Sequence, residues 1–96
     1  ECSTPTPGEA SFVGNAACAG CHAAANAHFR KTKHASAYEA LRQARKQNHL
    51  QCVGCHVTGW QAPGGACDVI RVEGRTSVGC EACHGPGSLH AQAPSA

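Results

Sequence analysis

Large apolar side chains are scarce in this 96-residue sequence. Three leucines, one isoleucine, six valines and two phenylalanines make twelve residues, under the level of roughly 20% below which a chain is suspected of failing to fold alone. Aromatic residues are 4% of the total, and alanine is the largest part of the 42% hydrophobic content. The length excludes two independent cores. Charge of one sign is also lacking, because 8 basic and 6 acidic residues leave +2. The self-repulsion typical of a disordered chain is therefore missing, and nucleic acid is a poor partner. No apolar run approaches the about 20 residues of a membrane span. The expectation is a soluble chain already freed of any leader, with no lipid on Cys2, which is not the first residue. Methionine is absent.

Eight cysteines and seven histidines stand against these absences. At that density they imply disulfides, metal or haem, and spacing has to choose. Six of the cysteines fall into Cys18-Ala19-Gly20-Cys21-His22, Cys52-Val53-Gly54-Cys55-His56 and Cys80-Glu81-Ala82-Cys83-His84. This C-x-x-C-H pattern is the attachment signature of c-type haem: two thiols form thioethers with the macrocycle, and the adjacent histidine becomes an axial iron ligand. One C-x-x-C alone reads as half of a zinc ribbon or a redox dithiol. Histidine placed at random would follow all three pairs roughly once in 2,500 chains, so haem is the stronger reading and zinc the alternative. Covalent attachment suits a chain with so little core of its own, since the cofactor can then serve as core.

The expected fold is small and mostly α, with much irregular loop, organised around three covalently bound haems. Residues 1–10, rich in proline, read as an extended tail, and 11–96 as one trihaem cytochrome c domain. The intervals between motifs, 34 and 28 residues from first cysteine to first cysteine, are too unequal for a solenoid repeat. A short alanine-rich helix is expected after His22. The clearest helix runs from Thr32, as its cap, to Gln47, with His34, Tyr38, Leu41 and Arg45 on one face. Thr58 to Gly65 reads as a tight turn, Val69 to Glu73 as a short strand, and Ser88 as the cap of a last turn holding His90.

Cys2 and Cys67 lie outside the motifs. In the oxidising compartment where haem is attached, they pair most simply as a disulfide pinning the tail to the loop after Gly65; a bond to another chain, or two free thiols, are the alternatives. Without methionine, each iron needs a second histidine, a ligand from another chain, or an open position. His28, His34, His49 and His90 remain after the proximal His22, His56 and His84. His90 is only six residues from His84 across Gly85-Pro86-Gly87, too few to reach the opposite face of that haem, so it serves a different one. His34, in the first turn of the best helix, is well placed to point inward. His28 and His49 compete for the third distal position, with a solvated ring or a propionate partner as the structural alternative for each.

These residues resemble the multihaem c-type cytochrome family of tetrahaem cytochrome c-554 type. The resemblance runs from about Phe12 to His90, through Val13 to Cys18, Thr32-Lys33-His34-Ala35, Cys52 to Trp60, and Val78 to His90. It implies distal ligation by His34 and His90, and haems packed closely in parallel and perpendicular pairs. The sequence departs in lacking a further haem motif of larger relatives and in a short region around Cys67. His28 and His49 stand where the family implies no ligand.

The function expected is electron transfer through three closely spaced, mainly bis-histidine haems, by a carrier rather than an enzyme. Two alternatives are a subunit of an extracellular filament conducting electrons between copies of itself, and a small reductase with one open haem and His49 supplying protons. Redox proteins are the expected partners, and the periplasm or cell exterior the expected location. Arg30, Lys31, Lys33, Arg42, Arg45 and Lys46 read as a solvated face balancing haem propionates or guiding an acidic partner.

Overall fold

The computed structural model describes residues 4–93. Their regular structure is helical throughout: α1 (Asn15–Ala19), α2 (Ala23–Phe29), a 3-10 turn (Lys33–Ser36), α3 (Ala37–Gln43), α4 (Leu50–His56), α5 (Cys80–His84) and α6 (Ser88–Gln92). The longest has seven residues, well short of the roughly 12–15 at which an isolated helix becomes even marginal in water. Each is therefore held by what it packs against. The small, mostly α fold with abundant loop is the one expected from the sequence.

The core lies between α3, α4 and the loops after α4. Leu41, Val53, Val57, Ala66 and Val72 are its buried apolar residues, with Tyr38, Cys52, Trp60 and Val69 packed around them. Gly54, inside the second C-x-x-C, leaves room for the Trp60 ring: a Cβ there would sit 3.3 Å from the indole. The tight turn expected from Thr58 to Gly65 is present. Ala62 and Gly65 donate to the carbonyls of Gly59 and Ala62 (both 2.9 Å), and Ala66 closes the loop onto the Thr58 carbonyl at 3.0 Å. Backbones of Gly59 and Gly65 touch, so a Cβ on Gly65 would overlap the Gly59 carbonyl. Residues 4–10 are all exposed and Ser11 is buried.

Three local expectations need correction. The helix from Thr32 to Gln47 is a 3-10 turn followed by α3, which ends at Gln43. Thr32 occupies the cap position but its hydroxyl donates to Phe29 O at 2.7 Å, closing the preceding turn. Arg45 is not on the helix face but beyond it at φ 59°, with Arg45 N–H on Arg42 O (3.0 Å) and Lys46 N–H on Leu41 O (2.8 Å), the double closure of a Schellman motif. Val69 to Glu73 is not a strand. The Asp68 carboxylate accepts the N–H groups of Ile70 (3.0 Å) and Arg71 (2.9 Å), and Cys67 N–H reaches Arg71 O at 2.9 Å, so the chain folds back on itself. Ser88 begins α6 without capping it; its hydroxyl accepts Ser11 N–H at 2.8 Å.

Two stability changes follow. Arg45→Gly removes the left-handed penalty of a non-glycine residue, offset in part by a freer unfolded chain, and is expected to stabilise by about 0.5–1 kcal/mol. Thermal unfolding should rise by a few degrees; a fall would mean that the Arg45 side chain contributes contacts worth more than the strain. Gly65→Ala is expected to cost at least about 2 kcal/mol by forcing the two glycine backbones apart, and an unchanged melting temperature would contradict this packing.

Candidate haem sites

Each C-x-x-C-H segment is one turn of chain. In the first, Cys18 belongs to α1 and His22 precedes α2, with Cys21 and His22 N–H groups both on Cys18 O (3.2 and 2.9 Å). The second forms most of α4 and the third is α5. The same asymmetry recurs three times: Cys18, Cys52 and Cys80 are half-buried, while Cys21, Cys55 and Cys83 are exposed, and all six are free thiols. Each motif thus presents one sulfur at the protein surface and one a turn away toward the body.

The first and third motifs meet. Asn15 Oδ1 accepts Cys80 N–H at 3.1 Å, so α1 caps α5. Burial, then the neighbouring Cys80 thiol and the Glu81 carboxylate, raise the Cys18 thiol pKa. Beside this seam lies a cavity of about 500 Å³ whose walls include Cys18, His22, Cys80, His84 and His90. Its volume is within the about 300–1,000 Å³ range of small-molecule and cofactor sites. The His22 and His90 rings both line it, with centroids 6.4 Å apart and planes at 28°. Two imidazoles bonded at about 2 Å to opposite sides of one metal have ring centres roughly 6 Å apart, so the pair is spaced to share an ion.

The second motif stands apart from that cavity. His56 Nδ1 lies 2.8 Å from Ala37 O, which selects the tautomer that donates from Nδ1 and leaves Nε2 free for a metal. Around it, Thr58 Oγ1 donates to Ser77 O (2.7 Å) and accepts Gly79 N–H (2.9 Å), carrying the chain from the second motif to the third. His34 is exposed on the 3-10 turn, and its carbonyl accepts Val78 N–H at 3.0 Å. His28 is exposed in the last turn of α2; His49, also exposed, precedes α4, and its carbonyl accepts from Cys52 and Val53. Cys67 is disulfide-bonded; Cys2, its expected partner, lies outside the described residues.

The residues present fit haem better than zinc. Among the described residues no group of three or more His, Cys, Asp and Glu side chains converges where it could hold a metal ion, so the tetrahedral thiolate sets of a zinc ribbon are not assembled. The surface is also too large for the mass: 6423 Å² is exposed, against about 5,200 Å² for a compact 9.8 kDa protein. Leu50, two residues before Cys52, is 72% exposed, and Leu89, beside His90, is 44% exposed. Bound macrocycles can cover such surface.

Sequence reasoning missed Glu81. This carboxylate, 3% exposed, accepts N–H groups from Val13 (2.9 Å), Gly14 (2.8 Å) and Gly87 (2.7 Å). Its only sequence signal is its place inside a C-x-x-C, where the intervening residues read as filler.

Among the described residues, no helix is long and apolar enough to cross a membrane. Residues 17–85 match the family described as cytochrome c554 and c-prime. Cytochrome c-554 of Nitrosomonas europaea is 36% identical over 94 residues, covering 82% of this chain and 40% of its own length. The reduced-state structure of cytochrome c554 from the same organism superposes with a TM-score of 0.69 at 35% identity, over 83% of this chain and 46% of that one. This chain therefore spans less than half the length of the relatives it matches. With the family matched over most of its residues, the chain belongs to the cytochrome c554 and c-prime family and is built to bind haem c.

Proposed function

We propose that this chain transfers electrons through three c-type haems, attached at Cys18 and Cys21, Cys52 and Cys55, and Cys80 and Cys83, with His22, His56 and His84 as proximal ligands. When bound, haem supplies a reversible one-electron couple at a position set by the chain. The observation that carries the reading is the separation of His22 and His90, 6.4 Å between ring centroids, in a cavity also lined by His84. His90 closes the site of the first motif rather than that of the third, six residues before it. Two histidines on one iron leave no place for a substrate, which favours carrying electrons over reacting with a small molecule.

His56, held through Nδ1 by Ala37 O, offers Nε2 to the haem of the second motif. His34 is the second distal ligand in this reading, and His28 or His49 the third. The shared wall of the first and third motifs brings two haems into one region of a chain whose Cα radius of gyration is 13.3 Å, so hops between them are short. The exposed Arg30, Lys31, Lys33, Arg45 and Lys46 offer positive charge to an acidic redox partner, while Arg42 is paired with Glu39. A disulfide at Cys67 supports an oxidising compartment, the periplasm or cell exterior.

Haem content and spin state test the proposal. The mature protein is expected to carry three covalent haems, all low-spin and indifferent to cyanide. His90→Ala should convert about one haem in three to a high-spin, cyanide-binding form while leaving haem content unchanged. Bound zinc in place of haem would contradict the attachment sites, and an unaltered spectrum in His90→Ala would remove His90 as a ligand. A high-spin third already present in the parent protein would bring the reductase reading forward, or the filament reading if it disappears at high protein concentration.

A further inference from the structure

Glu81 is the least expected group near the haem sites. Its carboxylate is buried at the seam between the first and third motifs, and it lines the cavity that holds His22, His84 and His90. Burying a charge is costly unless its bonding capacity is filled. Here it is filled by neutral donors: Oε1 accepts from Gly14 and Val13, Oε2 from Gly87 and Val13. Both oxygens accept from backbone N–H groups, bonding that suits a carboxylate. The ion pairs of the described residues, Glu39 with Arg42 and Asp68 with Arg71, lie elsewhere. A carboxylate held only by backbone dipoles keeps its full negative charge, and in a water-poor seam that charge acts over a longer range than at the surface.

The same bonds have a mechanical result. Val13 and Gly14 lead into α1 and the first motif, whereas Gly87 follows the third motif and leads into the helix of His90. One side chain therefore fixes the approach to one site and the path from another to its facing histidine.

We propose that Glu81 is a positioning residue for two haem sites at once, a buried carboxylate that holds the first and third motifs together and biases the irons beside it toward the oxidised state. The inference rests on the haem reading above. Negative charge near an iron stabilises its higher oxidation state, so removing the charge makes reduction easier, and a purely structural glutamate would have no such signature.

Reduction potentials of the haem-loaded protein, with haem counted in the same samples, test it. Glu81→Gln is expected to keep three haems and to raise at least one potential, so that the reduced-to-oxidised ratio at a fixed electrode setting grows about tenfold, equivalent to 59 mV for one electron. Glu81→Asp keeps the charge with a shorter reach; it should lower the melting temperature but move that ratio by less than about threefold. Unchanged potentials in Glu81→Gln, or equal shifts in both variants, would overturn the electrostatic role. If Glu81→Gln fails to mature, Asn15→Asp carries the test. It keeps the acceptor for Cys80 N–H and adds charge to the same seam, so a lowered potential supports the proposal and an unchanged one overturns it. A parent protein without haem would show up in the haem count alone, and so separates failure of the haem reading from failure of the Glu81 assignment.

Discussion

Among the described residues the buried apolar side chains are five, none larger than leucine, a small core for a chain of this length. What the chain lacks is an apolar body to pack against, and covalently bound haem can supply one. Short helices, exposed leucines beside the motifs and a flat body of 41 × 33 × 17 Å suit a chain whose cofactor completes its packing.

The same constraint explains where the polar network sits. The chain cannot rely on interdigitated side chains to join its motifs, so backbone groups and a few polar side chains do it: Asn15 onto Cys80, Thr58 between Ser77 and Gly79, Ser88 onto Ser11, and Glu81 across three donors. Arg75 works in the same way, reaching Gly64 O at 2.8 Å and Phe12 O at 3.4 Å. Such bonds are directional, and they hold the sulfurs and imidazoles in fixed relation where a greasy contact would let them slide. Sites for electron hopping benefit from that rigidity, since small changes in separation alter rates steeply.

The three C-x-x-C-H segments were legible because the pattern is local: one turn of chain holds both cysteines and the histidine, whatever the rest of the protein does. The mostly α class followed from alanine-rich segments and the dearth of β-branched runs. The expected strand at Val69 to Glu73 failed because alternation over five residues is a weak signal and Asp68 takes the N–H groups a ladder would use. Thr32 and Ser88 stand where caps are expected, but their hydroxyls are engaged elsewhere, by Phe29 O and by Ser11 N–H. Glu81 could not be found from sequence, since its partners are 67 and 68 residues away in one direction. The nearness of the His90 and His22 rings was likewise hidden, although the six-residue gap to His84 already pointed away from the haem of the third motif.

The most direct test of a cofactor-built core compares the haem-free chain, made without the attachment machinery, with the mature protein by far-ultraviolet circular dichroism and thermal unfolding. The expected result is a haem-free chain with little helix and no cooperative transition, beside a mature protein that melts cooperatively. A haem-free chain that unfolds as a single sharp transition near the temperature of the mature protein would contradict the central claim, because the polypeptide would then be stable on its own contacts.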